Sequence, residues 1–275
     1  MYSEYWNLER EPFENTLDSA FFFPSQTHRA ALLKLRYLLE NGKGAGVLVG
    51  STGSGKTFVV RCVADELGPE FGPWVHVLFP QMSADDLLSF LASELGGELS
   101  AGQPAPRSRG AALRVIEHAL VEHTQQGRHA VIVVDDAHLI SKSETLQTLE
   151  LLLNFQRAPQ CVFSLILLGD RLLLPRLSRL PRFDERLAVR SMLQPLAPEE
   201  VAQYIQFRLE VSGAHNLMFD ADALAKITQL SGGTPRRINR LADLALLVGY
   251  ADSRTSLSAD DVCAASEELT AVGVE

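Results

Sequence analysis

Gly50-Ser51-Thr52-Gly53-Ser54-Gly55-Lys56-Thr57 follows the apolar run Ala45 to Val49 and opens a helical pattern at 56 to 67. The eight residues fit G-x-x-x-x-G-K-[ST] in the strand-then-helix context that this motif requires. Glycines let main-chain amides close around phosphate oxygens, and the helix adds its unpaired N-terminal donors and the positive end of its dipole. Lys56 is then expected to reach the β and γ phosphates of a nucleotide, and Thr57 to offer its hydroxyl to Mg²⁺. A flexible Gly-Ser turn is the bland alternative, and strand, motif and helix together oppose it.

Outward from this loop the pattern alternates. Short apolar runs at Ala45 to Val49, Val75 to Phe79, Ala130 to Val134 and Val162 to Leu168 are interleaved with helical stretches at 56 to 67, 84 to 95, 111 to 126 and 142 to 156. That alternation predicts an α/β domain, a parallel sheet with helices on both faces in three αβα layers. A further helix is expected after Ser25, closed by Asn41-Gly42. The stretch Gly96 to Gly110 reads as a surface loop inside the domain. From Pro195 onward no strand pattern survives, and helices are expected at 198 to 212, 220 to 230, 235 to 250 and 259 to 269. The division expected is an α/β domain over 1–193 and a small all-helical domain over 194–275.

A phosphate-bound Mg²⁺ calls for a carboxylate where a neighbouring parallel strand ends. Asp135, just past Ala130 to Val134, is the candidate for the metal's water shell, and Asp136 the candidate to orient an attacking water. Asp170, after the run ending at Gly169, could sense the γ-phosphate or hold that water, and equally could be a turn residue.

Six arginines, at 171, 176, 179, 182, 186 and 190, stand among only Asp184 and Glu185. They could supply an arginine finger to a neighbouring subunit, contact a DNA backbone, or form the solvated basic face of a short helix. In Ser231-Gly232-Gly233-Thr234-Pro235-Arg236-Arg237-Ile238-Asn239 two arginines occupy the first turn of a helix, where cations oppose the dipole. A ligand phosphate would explain that placement, and simple solvent exposure is the alternative.

Composition bounds the reading. With 46% hydrophobic and 21% charged residues the 275-residue chain is an ordinary folded protein, which excludes collagen, coiled coil and wholesale disorder. The formal charge of −9 gives no general attraction for nucleic acid or anionic membrane, leaving only local basic patches. Cys62, Cys161 and Cys263 fit neither a disulfide framework nor a zinc site. Met1 to Tyr5 carries no secretory pattern and no apolar run approaches the ~20 residues of a membrane span, so a cytoplasmic location is expected.

These pieces in this order resemble the AAA+ branch of P-loop ATPases, most closely the ExeA-like group, also called general secretion pathway protein A. Met1-Tyr2, Pro12-Phe13 and Phe21-Phe22-Phe23-Pro24-Ser25 with His28 and Ala31-Leu32 look like that group's N-terminal segment, here 1–41, which packs by the adenine; Phe13 enters the candidate site on that basis. Ser231 to Asn239 matches the group's lid motif. The resemblance implies ATP and Mg²⁺ as ligands, Arg236 as the sensor-2 arginine, Arg186 as the finger and Asp170 as the sensor-1 position. It also implies assembly into rings or filaments with ATP at subunit interfaces.

Two residues depart from the group's pattern. Asp136 stands where Glu is usual, about 1.5 Å shorter, and since about 1 Å of misplacement can cost on the order of a hundredfold, slow turnover is expected. Asp170 stands where a neutral polar residue is usual. Secretion proteins of the group also continue past the lid into a membrane span and a peptidoglycan-binding region, which these residues do not include. The expectation is an ATPase that drives conformational change or assembly of a protein partner. The alternatives are an ATP-dependent DNA-binding protein like the transposition-targeting ATPases, and a nucleotide-gated scaffold with little hydrolysis.

Overall fold

A computed structural model describes residues 2–97, 106, 108–157, 161–214, 216 and 218–271. They pack as two compact units: one of 29–50 and 59–193, the other of 1–28, 51–58 and 194–275.

The larger unit is built on five strands, β1 (Ala45–Val49), β2 (Phe71–Val77), β3 (His129–Val134), β4 (Phe163–Gly169) and β5 (Leu187–Met192), in the order β2-β3-β4-β1-β5. Every pairing is parallel. Every residue of β1 and β4 is buried. Strands covered on both faces need nearly continuous apolar runs, and these are the runs the sequence shows, with Ser164 in β4 paired to Lys43 O. One face packs on α4 (Ala84–Gly96), α5 (Arg109–Gln125) and α6 (Ser143–Leu152) through Leu88, Leu91, Ile116, Leu120 and Leu149. On the other face α2 (Gln26–Glu40) comes so close that a Cβ on Gly46 would lie 2.9 Å from Leu38 Cδ2. α3 (Lys56–Glu66) buries Val59, Val60 and Val63.

The structure corrects two expectations at the sheet edges. β2 begins at Phe71 and ends at Val77, so Leu78 and Phe79, read as strand, lie beyond it and are 60% and 80% exposed. Pro73 hid the start, because proline reads as a breaker and is tolerated on an edge strand, where no partner needs its N–H. β5 lies within the arginine-rich stretch, after α7 (Leu173–Ser178) and α8 (Pro181–Asp184). It alternates buried Leu187, Val189 and Ser191 with exposed Ala188 and Arg190, the pattern of an edge strand with one wet face.

α4 and α5 are joined through the expected surface loop, most of which lies outside the described residues; Ser108 caps α5 by accepting from Ala111 N. The helical unit holds α1 (Tyr2–Tyr5) and the C-terminal helices α9 (Pro198–Val211), α10 (Ala221–Ser231), α11 (Pro235–Ala251) and α12 (Ala259–Ala271). Pro198 and Pro235 open α9 and α11, and Asp220 caps α10 by accepting from Ala223 N at 2.7 Å. Trp6, Leu8 and Phe13 complete its core with Ile205, Ile227, Ile238 and Leu246. Among the described residues no helix is long and apolar enough to cross a membrane.

Candidate functional site

The parallel strands all finish at one edge of the sheet. There Gly50, following β1, donates its N–H to Gly169 O at the end of β4 (3.1 Å), and Asp135, following β3, donates to Val77 O at the end of β2 (3.0 Å). Strand order therefore gathers Gly50, Asp135 and Asp170 at the strand ends, with β4 between β1 and β3.

Beyond Gly50 the chain enters the loop. Gly53 and Gly55 have φ of +78° and +92°, in the region that L side chains rarely occupy. Ser54 N donates to Ser51 O (3.1 Å), and α3 starts at Lys56, so the amides of its first turn have no acceptor within the helix. Lys56 folds back over the loop, its Nζ 3.2 Å from Ser51 O. Arg236, in the first turn of α11, donates its main-chain N–H to Gly53 O (3.2 Å), and a Cβ on residue 53 would lie 2.6 Å from Arg236 Cβ. The loop thus fits a polyphosphate: glycines where a side chain would obstruct, a helix N-terminus, and two cations beside it, Lys56 of α3 and Arg236 of α11.

His28, near the start of α2, also touches this loop. Its Nε2–H donates to Ser54 O (2.8 Å) and its Nδ1 accepts from Ser25 Oγ (2.7 Å). Burial pushes its pKa down, partly offset by the bond to Ser54 and the charge of Glu200, so the ring is neutral at physiological pH. The available signal was its place three residues after the capping Ser25, in the first turn of α2. Phe13, by contrast, is 2% exposed and packs edge-on against Phe219 (6.2 Å between centroids), a core position that presents no face to a ligand.

At the strand ends, Asp135 Oδ1 accepts from Asp136 N (2.8 Å), and Asp136 adopts a left-handed backbone (φ 45°, ψ 37°) with its side chain largely exposed. His138 stands between two of the candidate acids: Nδ1 is 3.8 Å from Asp136 Oδ1, and Nε2 is 3.7 Å from Asp170 Oδ2. Asp170 also donates its N–H to His138 Nδ1 (3.3 Å), and its Oδ1 accepts from Leu172 N (2.8 Å). It is therefore a turn residue whose main-chain amide and carboxylate both lie beside His138.

The arginines separate by their contacts. Arg176 donates to His138 O and Ile140 O, and Arg190 pairs with Asp184 (2.9 Å). Arg186, half-buried, donates to Glu150 O (3.3 Å) and Asn154 Oδ1 (2.7 Å). Arg179 and Arg182 are exposed, and no described residue binds their guanidinium groups.

Residues 39–177 match the family model of the AAA domain. The chain is 29% identical over 279 residues to general secretion pathway protein A of Aeromonas hydrophila, covering 99% of this chain and 49% of that protein. It thus spans about half the length of this relative. Among solved structures, the Aeropyrum pernix ORC1 protein in complex with DNA superposes with a TM-score of 0.70 at 18% identity, covering 95% of this chain and 69% of the other. The Aeropyrum pernix ORC2 protein, solved as ADPNP-ADP complexes, gives 0.71 at 17% identity, covering 94% and 72%. At these identities the likeness concerns the fold.

Proposed function

Because the chain belongs to the AAA domain family, we propose that it binds Mg-ATP on residues 50–57 and hydrolyses it slowly, at interfaces between its own copies, to drive conformational change or assembly of a protein partner. The observation that carries this reading is the loop itself, with Gly53 and Gly55 in positive φ between a strand end and the start of α3. Only glycine reaches such a backbone without strain, and it brings main-chain amides close to one another at the start of a helix.

The amides of the loop and of the first turn of α3 bind phosphate oxygens. Lys56 exchanges Ser51 O for the β and γ phosphates, and Arg236 adds a second cation from α11. Thr57, and Asp135 through water, would hold Mg²⁺, whose charge offsets what builds on the phosphates during transfer. Asp136 orients the attacking water, and its carboxylate, one methylene shorter than Glu, is the reason for slow turnover. Asp170, with Oδ2 3.7 Å from His138 Nε2 and Oδ1 engaged by Leu172 N, is the candidate to sense the γ-phosphate.

For the cation delivered by a neighbouring copy, the exposed Arg182 and Arg179 replace Arg186, whose guanidinium is committed within its own chain. The similarity to a secretion-pathway protein supports a protein partner, and the absence of a secretory pattern in Met1 to Tyr5 is the ground for a cytoplasmic site of action. A second reading, DNA binding, draws on the same two exposed arginines and is opposed by the net charge of −9.

Steady-state Mg-ATP hydrolysis against protein concentration, with and without duplex DNA, tests these readings. Turnover per subunit should rise with concentration and vanish in Lys56→Ala; activity unchanged in that variant would overturn the proposal. Stimulation by DNA would favour the second reading, and tight ATP binding with near-zero turnover would identify a nucleotide-gated scaffold.

A further inference from the structure

The loop's glycines explain which conformations are allowed, and leave open what selects one of them. Ser54 lies between the two positive-φ glycines, and the peptide joining it to Gly55 can turn either way at little steric cost. Because a trans peptide is planar, its C=O and N–H point in opposite directions. Whatever holds Ser54 O therefore also aims the N–H of Gly55.

His28 Nε2 holds it, at 2.8 Å, on the buried side of the loop. The ring is itself fixed. Ser25 Oγ occupies Nδ1 at 2.7 Å, which leaves the proton on Nε2, and His28 is only 6% exposed. A Cβ on residue 55 would meet His28 Nε2 at 3.4 Å, so the imidazole packs directly under the glycine whose amide it orients.

We infer that His28 is a positioning residue for the phosphate-binding loop: by anchoring Ser54 O it turns the Gly55 amide away from the protein interior and toward a bound phosphate. The inference rests on the proposed binding of Mg-ATP by residues 50–57. It adds a determinant of phosphate affinity that lies outside the loop motif, in the first turn of α2.

Two pairs of variants test it. His28→Leu removes the donor at similar volume, whereas His28→Gln can place an amide N–H near the position of Nε2. If His28→Leu is poorly folded, His28→Asn gives the same contrast in a polar frame, since its amide is too short to reach Ser54 O. Direct titration with Mg-ATP and Mg-ADP should show about tenfold weaker binding for Leu and Asn, consistent with one lost bond to a buried carbonyl, and binding within about threefold of the parent for Gln. Melting temperature without nucleotide separates the roles. A merely structural histidine would lower it in all three variants while leaving the affinity of the folded protein unchanged, and that result would overturn the inference. So would equal affinities for Asn and Gln. A parent protein that binds no Mg-ATP would instead overturn the proposed function, and this inference with it; parent binding that Lys56→Ala abolishes and His28→Leu leaves intact would remove the role of His28 alone.

Discussion

Arg236 and Gly53 meet through their backbones: the arginine N–H reaches Gly53 O at 3.2 Å, and its Cβ stands 2.6 Å from where a side chain on residue 53 would begin. The first turn of α11 thus uses an otherwise unpaired helix donor to hold the loop, and the guanidinium is carried there with it. A cation at a helix start opposes the dipole, a cost that the proposed contact with a bound phosphate would offset. Gly53→Ala should destabilise the fold by about 1–3 kcal/mol and abolish nucleotide binding, because both the positive φ and the nearby Arg236 Cβ oppose a side chain. Arg236→Ala keeps the N–H and the Cβ, so its melting temperature should stay near the parent's while Mg-ATP affinity falls severalfold. Calorimetric titration and thermal melts of the two variants check this contrast.

The arginine stretch makes a second prediction. Arg186→Ala should lower stability by about 1 kcal/mol, since it removes the donor to Asn154 Oδ1, whereas Glu150 O keeps the Leu153 N–H. Arg182→Ala and Arg179→Ala should be nearly neutral for stability. If one of them completes a neighbour's site, that variant should lose at least tenfold of the turnover that appears at high protein concentration while binding Mg-ATP normally. Full activity in both would exclude them as trans cations.

Asp136 supplies a third. Its left-handed backbone suits Asp and Asn better than a longer acid. Asp136→Glu should raise turnover about tenfold if side-chain reach limits hydrolysis, at a stability cost of about 1 kcal/mol from the backbone. Turnover measured at saturating Mg-ATP, beside a denaturation curve, separates the two effects. No gain in turnover would show that the missing methylene is not what limits it.

Much of the architecture was legible in the sequence because the central strands are buried on both faces. Ala45 to Val49 and Leu165 to Gly169 are apolar throughout, as strands buried on both faces require, and the loop between β1 and α3 is spelled out in its glycines. The edges were harder to read. β5 has one wet face and carries Arg190 on it, so its alternation was submerged in an arginine run. At the site, local motifs located the loop and Asp135. The contacts of His28 with Ser54, of His138 with Asp136 and Asp170, and of Arg186 with Asn154 join residues that sequence patterns treat separately. Phe13 shows the reverse case: its place in a resembling segment carried a role, and packing against Phe219 buries it.

A last prediction concerns acid. His129, at the start of β3, donates Nε2–H to Ser164 Oγ (3.0 Å), while Ser164 donates onward to Lys43 O (2.8 Å). Burial pushes its pKa from 6.5 down to about 4, and burial likewise lowers the pKa values of His28 and His76. In the unfolded chain each of these rings takes up a proton near pH 6.5, whereas in the folded protein His129 waits until about pH 4. Between those values the unfolded state binds more protons. Stability is then fully present above about pH 6.5 and falls as the pH drops toward 4, with His129 contributing at most about 1.4 kcal/mol per pH unit. Urea denaturation at pH 7.5, 6 and 5 should show this decline, and His129→Gln, which keeps an amide donor for Ser164 but cannot titrate, should make the slope shallower. A slope unchanged by that substitution would move the acid sensitivity to His28 and His76.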